Sequence, residues 1–524
     1  MLLPLDERPI NVVYPRLLAA TLGWQVDSPT EHLGSRKVPA DRTAIVEWLQ
    51  AAAQATSGSA TDRTVVGAVV ALDTLAWGGL IPSRQSDTDL TLALEHLKVL
   101  RYVKAKRPGL PILAYSSIQR VSRDNDDGEE PGYYRQYGKL IFRRSQLEHR
   151  AAANALVEGE DSELNALRGQ IPTEVWQDQL AVRERTFAVN RAALDLVADG
   201  VIDVLVLNQD DTAVWGLNVM NRLRLETEVR RRGLSDRVLV YPGADEVAQV
   251  LLARLASLVK DRRTTVGTLF SSRGGAGVQT AYEDRPLGDL ITVHLRAAGA
   301  VREPGAARPD WWLAVNSPST QQGQGGVQYV LEHGTTMLSA EERTWLEDLE
   351  ASVRGVDRSL EAFRDGIQRL LESGSPLSVA DVAHVNGADD ELMCLFANSG
   401  LLPSLAGYGG WNTAGNSLGS AVALGCLAAL GADPEKLALA VAARFVDDWL
   451  YQARVRSRLL LQPALKPLGL GGFVPEGDLA AVEAQALEWV NEELRSFDLP
   501  YALTSVSFPW KRVFEIDYTL ERTA

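Results

Sequence analysis

Short apolar, β-branched runs recur along this chain, each followed by a polar cluster and then by a helical pattern. Residues 2–5 lead into Asp6-Glu-Arg-Pro-Ile-Asn11, and residues 65–72 lead into Asp73 and a Gly-Gly turn. The same grammar returns at 112–115, 204–207, 238–241, 266–270, 312–315, 382–385 and 402–406. Between these runs lie helical stretches such as 90–106, 213–232, 246–260 and 341–371. Strands that alternate with helices predict a mainly parallel sheet with helical crossovers. Their unbroken apolar character suits strands buried on both faces. The number of units suits a (β/α)-barrel, with a doubly wound open sheet as the alternative.

Residues 122–173 interrupt the series with a charge-rich stretch and the tyrosines Tyr133, Tyr134 and Tyr137, which predicts a helical insertion above the strand ends. The expected organisation is one α/β catalytic domain over 1–432 containing that insertion. A mainly helical C-terminal region over 433–524 follows, with a short strand near its end.

A net charge of −15 argues against nucleic acid as a partner and disfavours anionic membranes. No apolar run is long enough to span a bilayer and none reads as a signal peptide, so the expected location is cytoplasmic. A strand at residue 1 leaves an upstream segment open, and homo-oligomer formation is also left open. Cys394 and Cys426 are the only cysteines and read as buried free thiols in helices, too few for a zinc-cysteine site.

Ligands of parallel α/β folds bind outside the carboxyl ends of the strands. Here nearly every strand end carries Asp, Asn, Arg or Ser. Helix N-caps favour such residues, but a whole series of them points to an active-site face. Asp210 and Asp211 are the sharpest candidates for catalysis, because neighbouring carboxylates do not ionise freely together and one can serve as an acid. Adjacent residues on an extended strand point opposite ways. Both therefore reach one pocket only if a bulge or turn follows residue 207. Glu246 is a further catalytic candidate. It competes with a capping role, as does its neighbour Asp245.

Candidate substrate-binding residues are Asp6, Arg8, Asp73, Arg84, Asn208, Asp245, Asn386, Asp389, Tyr408, Trp411, Asn412 and Asn416. Arg8, Arg84, Arg120 and Arg273 follow strand ends and can clamp a carboxylate or phosphate, or else pair with the neighbouring acids. The loop Tyr408-Gly-Gly-Trp-Asn-Thr-Ala-Gly-Asn416 combines glycines, amides and aromatics in one connection and reads as a substrate-binding wall, or as a glycine turn with a cap at Asn412 or Asn416. His384 reads as a core-strand histidine. No metal-binding spacing and no nucleotide or cofactor motif is present, although an all-oxygen site from Asp6, Asp73 and Asp210 stays open.

Several phrases together resemble an uncharacterised bacterial domain-of-unknown-function family of similar length. They are Pro4-Leu-Asp-Glu-Arg-Pro9, Asp73 with Gly78-Gly-Leu-Ile-Pro-Ser-Arg84, Gly243-Ala-Asp-Glu246, Asn386-Gly-Ala-Asp389, Gly410-Trp-Asn-Thr-Ala-Gly-Asn416 and Phe508-Pro-Trp-Lys-Arg512. The resemblance covers essentially the whole chain and implies no activity. A second resemblance rests on two residues: a vicinal Asp pair after a fourth strand is similar to the substrate-assisted β-N-acetylhexosaminidases. It implies that Asp210 polarises the substrate and Asp211 protonates the leaving oxygen, with Tyr408, Trp411 and Asn412 lining a sugar subsite.

The leading expectation is a glycoside hydrolase acting on a small or terminal sugar through a carboxylate pair, with stacking from Trp77, Trp215 or Trp411 and no cofactor. The alternatives are a metal-dependent hydrolase or lyase with oxygen ligands and a non-catalytic sugar-binding protein.

Overall fold

The computed structural model describes residues 1–54, 64–85, 88–303, 308–334, 337–462 and 472–523. The chain divides into two compact units. The first comprises Met1–Glu7, Val26–Leu251 and Tyr282–Asp284, and the second Arg8–Gln25, Leu252–Ala281 and Arg285–Ala524.

The first unit is built on five parallel strands: β1 (Leu2–Leu3), β2 (Ala68–Ala71), β3 (Ile112–Ile118), β4 (Val204–Gln209) and β5 (Val238–Pro242). They pair in chain order, β1-β2-β3-β4-β5. Leu3 lies opposite Val70, and Leu207 opposite Val240. Their side chains join Ile45, Leu49, Leu97, Leu100, Leu194 and Val197 from the flanking helices in one apolar core. That core explains why these strands read as continuous apolar runs. The expected insertion is helical, with Tyr134–Ala152 and Glu160–Gln170 followed by the long helix Thr173–Ala198.

The second unit holds β6 (Thr264–Phe270), β7 (Ala300–Arg302), β8 (Trp311–Asn316), β9 (Gly323–Gln324), β10 (Leu377–Asp381), β11 (His384–Val385), β12 (Gly407–Gly409), β13 (Tyr501–Ser507) and β14 (Asp517–Arg522). Five of these form a parallel sheet in the order β12-β10-β8-β6-β7. The order reverses at β6, as it does in doubly wound sheets. β9 pairs with β11, and β13 with β14 in an antiparallel ribbon.

The strands therefore form two separate five-stranded parallel sheets, and no closed barrel is found among the described residues. Periodicity marks a buried parallel strand but carries no information on which strand it pairs with, so one ring and two sheets give the same pattern. Some boundaries also differ from the sequence reading. The run at 402–406 contains a 3₁₀ turn (Leu402–Ser404), and the strand begins only at Gly407. The strand expected at 382–385 is the sheet strand β10, ending at Asp381, with His384 in the two-residue β11 instead. The helical stretch 341–371 is two helices, Ala340–Arg354 and Leu360–Leu371. Among the described residues no helix is long and apolar enough to cross a membrane.

Candidate functional site

At the carboxyl end of the first sheet, Gln209 closes β4 and the chain turns at Asp211, whose φ is +32°. This left-handed turn supplies the irregularity needed for two adjacent aspartates to share one network. Arg84 Nη2 donates to Asp210 Oδ2 at 2.5 Å, and Arg120 Nη1 donates to Asp211 Oδ2 at 2.7 Å. Glu129 and Glu130 join the two arginines: Arg84 reaches them at 3.0 and 3.2 Å, Arg120 at 3.0 and 2.8 Å. The rim pairing open to these arginines is thus realised for Arg84 and Arg120.

The two aspartates differ in their surroundings. The Asp210 side chain is 8% exposed and that of Asp211 27%. Burial and the charge of Asp210 raise the pKa of Asp211 against the opposing pull of Arg120. Asp73 sits in the short helix Leu72–Trp77 that follows β2 and is fully buried. Its Oδ2 accepts the Ser117 backbone N–H at 2.8 Å. Desolvation pushes its pKa up to about 6, with a contribution from Asp210.

Asn208 donates to Ser117 Oγ and to the Gly243 carbonyl, both at 3.1 Å. Its Oδ1, like Gln209 Oε1, is buried with no hydrogen-bond partner among the described residues. Glu246 turns back on its own loop, where Oε2 accepts the Ala244 N–H at 3.0 Å. It is fully buried, and its environment is that of a turn-fixing carboxylate. Asp245 and Asp6 are buried as well. Trp215 packs edge-on against His149, and Trp77 is buried.

The remaining candidates lie in the second unit. Asn316, at the end of β8, donates to Asp381 Oδ1 at 2.8 Å and to Asp389 Oδ2 at 3.1 Å. Arg358 donates to Asp389 and to Asn316 Oδ1. Tyr408 donates its hydroxyl to Asp381 Oδ2 at 2.9 Å. Desolvation and the Asp389 charge push Asp381 up to about 6. Burial also disfavours the charge on Asp389, but Arg358 outweighs it and holds that carboxyl well below the usual range. Asp389 also caps the helix Asp390–Asn398. Gln328 links Asp389 to Glu350, which bonds His384 Nε2 at 2.9 Å. Gln328 and Glu350 line a cavity of about 660 Å³, together with Arg354, Asp390, Glu391 and Cys394. Cys394 is half-buried, not fully buried as expected, and burial pushes both thiols up to about 12.

The loop after β12 is an interior element. Tyr408 is fully buried, and Trp411 belongs to an apolar cluster with Ile10, Tyr14 and Ala443. Its ring centroid is 5.6 Å from that of Phe514. Asn386 and Asn412 both adopt left-handed backbone, φ +61° and +63°, and the Asn386 N–H bonds the Asn412 carbonyl at 2.9 Å. The helix that follows, Ala414–Ala429, is capped by Thr413 instead of Asn412 or Asn416. Asn416 is the residue whose N–H meets the Thr413 hydroxyl. Arg8 lies 4.5 Å from the Trp510 ring centroid and 3.6 Å from Glu515.

A family model described as "Protein of unknown function (DUF4127)" matches residues 1–519. The chain belongs to the DUF4127 family. No curated protein and no solved structure matches it.

One part of this DUF4127 chain is invisible to sequence patterns. Residues Phe445–Val455 wind as a π-helix, closed by a bond from the Arg456 N–H to the Tyr451 carbonyl. Such winding is rare and is frequently found at functional sites, but it has the composition of an ordinary helix. It carries another vicinal pair, Asp447 and Asp448, both buried. Asp448 accepts the Gly410 N–H at 2.8 Å and pairs with Arg444. Desolvation pushes it up to about 7, opposed by Arg444. Tyr14 donates its hydroxyl to Asp447 Oδ2 at 2.9 Å. A vicinal Asp motif also occurs at 126–127 and 389–390, so its presence at 447–448 does not by itself mark this cluster. Among the described residues no group of His, Cys, Asp and Glu is arranged to hold a metal ion.

Proposed function

We propose that this chain is a glycoside hydrolase acting on a small or terminal sugar, with its chemistry at the carboxyl end of the first sheet. The observation that carries the reading is the unequal setting of Asp210 and Asp211. Both aspartates are salt-bridged, Asp210 to Arg84 and Asp211 to Arg120, but Asp210 is nearly buried, whereas Asp211 is more exposed and has a raised pKa. A carboxyl with a raised pKa beside a second carboxyl can supply a proton donor within a two-carboxyl site. In this reading Asp211 protonates the leaving oxygen and Asp210 holds the substrate polarised. Asp73, pushed up to about 6, is a second proton carrier behind them. The unpartnered acceptors Asn208 Oδ1 and Gln209 Oε1 favour a ligand rich in hydroxyl donors.

The test is a panel of chromogenic glycosides assayed with and without chelator. The reading predicts turnover that is insensitive to chelation and lost in both Asp210→Asn and Asp211→Asn. Unchanged turnover in both variants would sink it, and activity that vanishes on chelation and returns with Mg²⁺ would favour a metal-dependent hydrolase instead. A second reading, sugar binding without turnover, is favoured by the cavity of about 660 Å³ in the second unit. A sugar that raises the melting temperature while no glycoside is cleaved would select it.

A further inference from the structure

Three sequence phrases that the proposed chemistry leaves unused meet inside the second unit. Arg8 comes from the opening Asp-Glu-Arg-Pro phrase, Trp411 from the Gly-Trp-Asn loop, and Glu515 from the segment after Phe508-Pro-Trp-Lys-Arg512. With Asp447 and Gln452 of the π-helix they line a small cavity. Its volume of about 10 Å³ matches the roughly 10–15 Å³ that a single water needs by this measure.

The Trp411 indole is 3% exposed, and its Nε1 has no acceptor among the described residues. An indole N–H only donates, and leaving it buried and unbonded is costly. The same lining also supplies acceptors. Asp447 takes the Tyr14 hydroxyl on Oδ2 at 2.9 Å and a longer bond from Gln452 on Oδ1 at 3.3 Å, and a carboxylate has about four acceptor positions. Glu515 is bonded by Arg512 and lies 3.6 Å from Arg8.

The geometry points to one internal water in this cavity, accepting from Trp411 Nε1 and donating to the carboxylates of Asp447 or Glu515. Alternative occupants fail on charge or on bonding. A cation has no lone pair for the indole N–H and meets the Arg8 guanidinium. A halide accepts from Trp411 but faces two carboxylates. Water alone is both acceptor and donor at this size. It ties the Gly-Trp-Asn loop to the π-helix, so the Trp411 N–H is an anchor for that loop and not a ligand group for a sugar.

A high-resolution crystal structure of the full chain, with a parallel bromide soak, tests this. The expected result is one solvent peak within hydrogen-bond distance of Trp411 Nε1 and of an Asp447 or Glu515 oxygen, with no anomalous bromide signal there. An empty cavity, a protein atom bonded to Trp411 Nε1, or bromide at the site would overturn the assignment. In solution, water-¹⁷O relaxation dispersion on wild type and on Trp411→Phe counts long-lived internal waters without crystals. The phenylalanine variant keeps a ring against Phe514 but removes the donor. The loss of one long-lived water in a variant with unchanged circular dichroism supports the proposal, and an equal count in the two proteins rejects it.

Discussion

Arg84 Nη2 and Asp210 Oδ2 stand 2.5 Å apart, with side chains only 3% and 8% exposed. Two charges buried together tolerate the loss of neither partner, because the survivor keeps its desolvation cost without compensation.

Arg84→Met is therefore expected to destabilise the first unit by about 3–5 kcal/mol. Urea unfolding of the variant against wild type measures this. A double variant that also carries Asp210→Leu should recover part of the loss, since it removes the stranded carboxylate.

Asp73 makes stability depend on pH in the direction opposite to a salt-bridged carboxylate. Its pKa is about 6 in the folded chain, against 3.8 for an unperturbed Asp. The folded state then binds more protons than the unfolded state between these values, and stability falls as pH rises. The contribution is fully present below pH 3.8 and lost by about pH 6, a change of about 3 kcal/mol. In Asp73→Asn the difference from wild type should grow across that window, with the variant the more stable above it. Unfolding curves from pH 4 to pH 8 give the comparison.

If the glycosidase reading holds, Asp211→Asn should lower kcat/KM by about 10²–10⁴, the usual weight of a general acid. The melting temperature should change little, because Asp211 is the more exposed partner. Steady-state kinetics on the best chromogenic substrate, alongside a thermal melt, separates lost chemistry from lost folding.

His384 offers a spectroscopic check on the second unit. Burial lowers its pKa, but the Glu350 hydrogen bond and the Asp389 charge outweigh burial and leave it raised. The stabilisation this pair supplies is present below the ordinary imidazole pKa and fades as pH rises through the raised one. Glu350→Gln removes the charge while keeping an amide oxygen that can accept from Nε2, so burial should then weigh more. Imidazole proton shifts followed by NMR should move the His384 midpoint downward in the variant.

Gly409 ends β12 where the sheet meets the following helix. A Cβ there would lie 2.4 Å from the Ser417 carbonyl oxygen. Gly409→Ala should cost about 1–3 kcal/mol through overpacking, read as a lowered urea midpoint with an unchanged slope.

The elements of this fold were largely legible because they obey local rules. Runs such as 112–115 and 204–207 are apolar since both faces of β3 and β4 are covered. Pairing was not legible. Nothing around Val238 or Val266 says that β5 ends one sheet and β6 opens another, since that depends on contacts distant in sequence. The candidate site divides in the same way. Asp73, Asp210 and Asp211 follow strands, and position alone marked them. Asp447 and Asp448 lie in the π-helix, whose winding no periodicity announces. Tyr408 and Trp411 showed the composition of a binding loop, but burial against Phe445 and Phe514 reads as aromatic packing instead.

The chain threads through its two units in an order with consequences for synthesis. Residues 8–25 are made before residues 26–251 of the first unit, yet they belong to the second unit, most of which is made after them. Tyr14 must wait for Asp447, a partner 433 residues downstream. At roughly 5–20 residues per second on the ribosome, that wait is on the order of 20–90 s. Throughout it Tyr14, Leu18 and Ala19 lack their native cover, so the nascent segment is a natural client for a holding chaperone.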